Sequence, residues 1–227
     1  SHPSATQGTR IGVLVSGHSR GSNLQAIMDA CRSGELKATV CIVIATRRDA
    51  PALARAAQAG CPTAVVSPKK YDDDNAYGET LLAVLKNAGA EVICLAGYMR
   101  RLPSVVLAAF PQRVLNVHPA LLPLFGGKGM FGEHVHRAVL ESGMKVSGCT
   151  VHLVDEEYDH GPILLQETVP VHDDDTWETL AARVLPVEHA TYVRAIKLVV
   201  EGRVRVEGNR TFILPEAAAA QEATQKL

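Results

Sequence analysis

The chain has 227 residues, enough for one large domain or two small ones, with 47% hydrophobic and 21% charged residues; that composition is globular and excludes wholesale disorder. Lys plus Arg number 23 against 24 Asp plus Glu, a formal net charge of -1. There is thus no bulk electrostatic drive toward nucleic acid or an anionic membrane, and an anionic ligand has to be held by local groups.

The first ten residues are polar and lack the apolar core of a signal peptide, which predicts a disordered extension over 1–10 and a cytoplasmic protein. Ile11-Gly12-Val13-Leu14-Val15 is a β-rich run that ends in Ser16-Gly17, and Ser22 to Ala30 reads as a helix with its polar cap at the front. Strand-like runs follow at 38–46, 63–66, 92–96 and 114–118, alternating with helical patterns near 51–60, 73–88 and 104–109. The longest apolar stretches, near 40–45 and 92–99, fall far short of a bilayer span. The alternation predicts an α/β fold, a single domain over 11–214 with a mostly parallel, Rossmann-like sheet flanked by helices.

Beyond residue 132 the pattern changes: a helix near 133–142, strands near 147–154 and 163–171, a long helix from about 175 to 201, a hairpin at 203–214 and a frayed tail over 215–227. Cys31, Cys41, Cys61, Cys94 and Cys149 are scattered without metal spacing, so they read as core thiols in a reducing compartment.

Three segments carry chemistry. Ser16-Gly17-His18-Ser19-Arg20-Gly21-Ser22-Asn23 joins the first strand to the first helix. Backbone N–H groups at a helix start, with small residues permitting close approach, suit a phosphate, although the same residues make a tight turn before a capped helix. Neither the dinucleotide nor the Walker spacing fits. Asn116 and His118 end the fifth strand two residues apart, so they project to one side at the carboxyl edge where open α/β sheets bind ligands. An amide can donate to a developing oxyanion and an imidazole can shuttle a proton; an isolated N-x-H also reads as a turn-capping Asn with a structural His. Asp155 to Pro162 is an acidic loop, ordinarily a solvated feature, in which Asp159 precedes a Gly-Pro bend. His134 and His136 lack a third ligand at recognisable spacing, so no metal is expected. His152 lies mid-strand and reads as a satisfied interior histidine.

Together these segments resemble the phosphoribosylglycinamide formyltransferase family of purine biosynthesis. The matching pieces are Gly21-Ser22-Asn23-Leu24-Gln25-Ala26-Ile27, Leu95-Ala96-Gly97-Tyr98-Met99-Arg100, Leu115-Asn116-Val117-His118-Pro119-Ala120-Leu121-Leu122-Pro123, Asp159-His160-Gly161-Pro162-Ile163-Leu164-Leu165-Gln166 and, more weakly, Glu188-His189-Ala190. The resemblance implies formyl transfer from 10-formyltetrahydrofolate, a co-substrate, to the amine of glycinamide ribonucleotide, without a metal, nucleic acid or membrane partner. It leaves a homodimer open. Asn116, His118 and Asp159 would be catalytic, and Gly21, Ser22, Asn23 and Glu188 would hold the ribonucleotide. Met99, Arg100, Arg101, Leu102 and Asn116, with Val154, Asp155, Glu156, Glu157, Tyr158 and Asp159, would line the folate pocket.

The chain departs from the family pattern in places. Its phosphate loop is two residues longer than S-G-x-G-S-N, and 124–133 is about five residues longer than usual on motif alignment. The glycines of that segment predict a lid that is poorly ordered or open without ligands and closes over bound substrates. Asp74 stands where some members carry Arg. The competing readings are a formyltetrahydrofolate hydrolase, a transferase with another amine acceptor, and a non-catalytic nucleotide-binding module. The ten residues before Ile11 are too few for the regulatory domain such hydrolases usually carry, and the module leaves Asn116, His118 and Asp159 unexplained.

Overall fold

The computed structural model describes residues 8–156 and 160–216. In chain order it runs β1 (Thr9–Val15), α1 (Ser22–Ser33), β2 (Ala38–Ala45), α2 (Pro51–Gln58), β3 (Thr63–Val65), a 3-10 turn (Pro68–Lys70), α3 (Asp74–Asn87), β4 (Val92–Leu95), α4 (Ser104–Ala109) and β5 (Val114–His118). It continues with α5 (Glu133–Ser142), β6 (Val146–Leu153), β7 (Ile163–Pro170), α6 (Trp177–Val200), β8 (Val204–Glu207) and β9 (Arg210–Ile213). β1 begins two residues inside the expected N-terminal extension, because Thr9 already pairs with Ala38 and its N–H bonds the Lys37 carbonyl at 3.1 Å.

Seven strands form one sheet in the order β3-β2-β1-β4-β5-β6-β7, while β8 and β9 make a separate hairpin. β1 to β5 pair in parallel and β6 and β7 are antiparallel, which is the mostly parallel sheet expected. β1 lies between β2 and β4, so the chain winds first to one side and then to the other. That reversal opens a crevice at the carboxyl ends of β1 and β4.

Alternate residues of a strand face opposite sides, and parallel strands are covered on both. Ile11, Val13 and Val15 of β1 pack with Leu24 and Ile27 of α1, Ala52 of α2 and Ile196 of α6. Leu14 faces the other layer with Tyr77, Leu81 and Leu85 of α3 and Val106 of α4. α5 packs Val135 and Val139 on Cys149 of β6 and on Leu180 and Val184 of α6. All five cysteines are free thiols, three of them buried.

α6 starts at a Thr176–Thr179 capping box and contains Pro186. Proline has no N–H, so the Ala182 carbonyl lacks its helical donor, yet the helix continues past it. Tyr192, one turn beyond Glu188, is 1% exposed, and its hydroxyl reaches the Leu95 carbonyl at 2.7 Å and the Leu115 carbonyl at 3.1 Å. This contact fastens the long helix to the last residue of β4 and to the start of β5. No described helix is long and apolar enough to cross a membrane.

Candidate active site

The loop after β1 is folded back on the sheet. The Ser19 hydroxyl donates to the Ala96 carbonyl at 3.1 Å, beyond the end of β4, and accepts from the Gly21 N–H at 3.3 Å. Gly21 is the N-cap of α1 with φ 82°. A Cβ there would lie 2.9 Å from Arg55 Cδ and 3.0 Å from Ala52, so only glycine fits. No side chain caps the helix, which leaves its first-turn N–H groups for a ligand. The Asn23 amide donates to Glu188 Oε1 at 2.8 Å, joining α1 to α6. Glu188 is 8% exposed. Burial pushes its carboxyl up to about 7, against the lowering effect of the Asn23 hydrogen bond.

Asn116 and His118 share one side of β5, and Asn116 lies opposite His152 in the antiparallel register with β6. His152 Nδ1 lies 3.0 Å from the Leu153 carbonyl. A carbonyl only accepts, so that nitrogen carries the proton and Nε2 is the acceptor for the Asn116 amide, 3.3 Å away. The tautomer of His152 thereby turns the nitrogen of Asn116 toward β6. His118, 3% exposed, donates from Nε2 to the Phe125 carbonyl at 2.7 Å. His136 is buried nearby, with Nδ1 lacking a hydrogen-bond partner. Burial, and secondarily the charge of His118, pushes its imidazole down to about 4, so His136 is neutral at physiological pH.

These groups line one cleft of about 900 Å³. Ser22, Asn23 and Glu188 line it, as do Met99, Arg100, Arg101 and Leu102 from the segment after β4, together with Asn116, His118, Val154 and Asp155. Gly21 does not line it and acts as the helix cap, while the Glu156 carbonyl holds the Arg101 guanidinium, 2.7 Å from Nε. Glu157, Tyr158 and Asp159 lie outside the described residues. The Gly-Pro bend after them is sterically required: Gly161 has φ 118°, and a Cβ there would fall 2.1 Å from the Leu153 carbonyl. Asp74 lies 4.0 Å from Arg100, whose guanidinium sits over the Tyr77 ring.

Sequence reasoning missed two features. His152 is an interior histidine as expected, but its ring also lines the cleft and bonds Asn116; the strand register that pairs them is not readable from either strand alone. The glycine-rich segment, expected to be poorly ordered or open, lies along the cleft from Gly127 to Gly132 and reaches His118 through Phe125. Among the described residues no group of three His, Cys, Asp or Glu side chains is placed to hold a metal.

Residues 9–196 match the formyl transferase family. The chain belongs to that family. Within it, the chain is similar to glycinamide ribonucleotide transformylase 1 from Symbiobacterium toebii, with a TM-score of 0.86 and 45% identity over 95% of this chain and 98% of that one. The phosphoribosylglycinamide formyltransferase of Escherichia coli is 38% identical over 92% of this chain and 98% of its own length. The chloroplastic enzyme of that name from Arabidopsis thaliana is 42% identical over 86% of this chain and 67% of its own length. The chain spans only 19% of the trifunctional purine biosynthetic protein of Bos taurus, to which it is 41% identical. A formyltetrahydrofolate deformylase from Pseudomonas syringae shares the fold at 27% identity and a TM-score of 0.80, with 92% of this chain and 67% of that one covered.

Proposed function

We infer that the protein transfers the formyl group of 10-formyltetrahydrofolate to the amine of glycinamide ribonucleotide, giving formylglycinamide ribonucleotide in purine biosynthesis. The observation that carries this reading is one continuous cleft. An uncapped helix start and a buried carboxylate lie beside an amide and an imidazole at the end of β5, in a member of the formyl transferase family. A cleft of about 900 Å³ has room for two substrates side by side.

The amine attacks the formyl carbon, the new C–N bond forms, and the carbonyl oxygen takes up negative charge. The Asn116 amide donates to that oxygen, where a preorganised donor counts most. Protonated His118 stabilises the same charge and delivers a proton to the departing folate nitrogen as its bond to carbon breaks. The amine's surplus proton leaves to solvent or back to the imidazole. Asp159 has the role of keeping the imidazole cationic and oriented, on the strength of the family motif. Glu188 accepts from the ribose hydroxyls, and Met99, Leu102 and Val154 with the neighbouring backbone receive the folate ring.

Incubating the protein with both substrates should yield formylglycinamide ribonucleotide. Asn116→Ala and His118→Ala should each lower kcat by about 100-fold or more while both substrates still bind. Hydrolysis of the same donor is the second reading, because the fold is shared with a deformylase. Formate release with no formylated ribonucleotide would favour it and overturn transfer.

A further inference from the structure

The buried carbonyls at the end of β4 take their partners from two different elements. That of Leu95, the last residue of the strand, accepts from the Tyr192 hydroxyl of α6, and that of Ala96 accepts from the Ser19 hydroxyl at 3.1 Å. Ala96 is 2% exposed, so its carbonyl is left unsatisfied when this partner is removed. The Ser19 oxygen also accepts from the Gly21 N–H at 3.3 Å. A hydroxyl has one donor and two acceptor sites, and here one of each joins the N-cap of α1 to the end of β4. The root of the loop is fixed separately. The Gly17 N–H donates to Thr46 Oγ1 at 3.1 Å, just past β2, and the Ser19 N–H donates to the Ser16 carbonyl at 3.3 Å.

Ser19 also fits the backbone it faces. Gly97 has φ 77°, and a Cβ there would lie 3.1 Å from Ser19 Oγ and 3.2 Å from Ser19 Cβ. The lengthened part of the loop thus rests on the residue at which the segment from Gly97 to Leu102 begins. That segment lines the cleft on the side expected to receive the folate. Ser22 and Asn23, three and four residues after Ser19, line it on the side expected to receive the ribonucleotide. Ser19 itself does not line the cleft.

We propose that Ser19 is a positioning residue for the transfer, its hydroxyl holding the acceptor side of the cleft at a set distance from the donor side. Attack between two bound molecules needs the amine and the formyl carbon about 3–3.5 Å apart, and a misplacement of about 1 Å costs about 100-fold in rate. A bridge between the two sides fixes this separation without touching either substrate. The inference rests on the proposed transfer to glycinamide ribonucleotide and adds a residue that aligns the two reactants.

The test compares wild type, Ser19→Ala and Ser19→Thr, the last of which keeps the hydroxyl. Ser19→Ala should lower kcat about tenfold, with the KM for each substrate changed by less than about twofold. Ser19→Thr should keep at least about half of the wild-type kcat. In the free protein, hydrogen exchange of the amides from 97 to 102 should quicken about fivefold in Ser19→Ala, while that of β6 stays as in wild type. An unchanged kcat in Ser19→Ala overturns the proposal. So does a loss confined to one KM, which would make Ser19 part of that substrate's own site. Unchanged exchange at 97–102 overturns it as well. If wild type makes no formylated ribonucleotide at all, the transfer reading fails by itself. The exchange comparison, which needs no substrate, then decides the bridge: faster exchange in Ser19→Ala supports it, and equal exchange refutes it.

Discussion

Glu188 shows how one residue can serve a site at the expense of the fold. Its carboxyl is buried and raised to about 7 from an ordinary 4.5, so the folded protein favours the protonated form. That contribution to stability is complete below about pH 4.5 and is lost as pH rises toward 7. The ionised form, however, is the better acceptor for ribose hydroxyls. Glu188→Gln removes the ionisation and should make the protein more stable than wild type at pH 8 by about 1–3 kcal/mol, with the difference closing near pH 4.5. The KM for the ribonucleotide should rise at the same time. Melting curves across this range check the sign, and a gap between the two proteins that does not depend on pH would mean that the buried carboxyl is not titrating. Glu188 was legible in the sequence only as the weak Glu188-His189-Ala190 match; its pairing with Asn23, 165 positions away, depends on α1 and α6 packing side by side.

At the scale of elements, the segment from Gly127 to Gly132 forms one wall of the cleft. Gly127, Gly129 and Gly132 adopt φ of 98°, 83° and 57°, and a Cβ at any of them would meet nothing within 4 Å. These glycines face open space, a condition for local opening, while Phe125 and Met130 anchor the segment on the core formed by α5 and α6. The Phe125 carbonyl accepts from His118 Nε2, so under the proposed mechanism this contact has to yield before that nitrogen delivers a proton. Hydrogen exchange at 126–132 should be fast in the free protein and slow markedly when both substrates or a bisubstrate analogue bind. Equal protection with and without ligand would remove the lid from the mechanism. The glycines made the segment's freedom readable in advance; its lie against His118 was not, because no local pattern specifies which carbonyl meets a side chain across a cleft.

For the whole molecule, the site depends on α6 being fastened to the sheet. The Tyr192 hydroxyl bridges the carbonyls of Leu95 and Leu115, the two strands whose ends carry the segment from Gly97 to Leu102 and the pair Asn116 and His118. Tyr192→Phe keeps the ring packing and deletes the bridge, so it should cost about 1 kcal/mol, or roughly 2–4 °C in Tm for a chain of this size. The KM for the ribonucleotide should rise, because Glu188 rides on the same helix one turn away. A Tm within 1 °C of wild type, as an order of magnitude for no effect, together with an unchanged KM, would show that apolar packing alone seats the helix.

The alternation of apolar strands with amphipathic helices was enough, by itself, to determine the α/β class, the order of all the main elements and the mostly parallel sheet, since each of these follows from local periodicity and burial. Gly21-Ser22-Asn23 and Asn116-x-His118 were equally visible, being contiguous motifs at element ends, and they carried the family. What the tertiary structure alone decided are relations between distant positions. The antiparallel register set His152 against Asn116, the packing of α6 against α1 buried Glu188 and raised it, and the close approach of α2 to Gly21 brought Arg55 beside the helix start. Each depends on how one element lies on another, and the free energy of such contacts resides in surfaces that neither segment contains by itself.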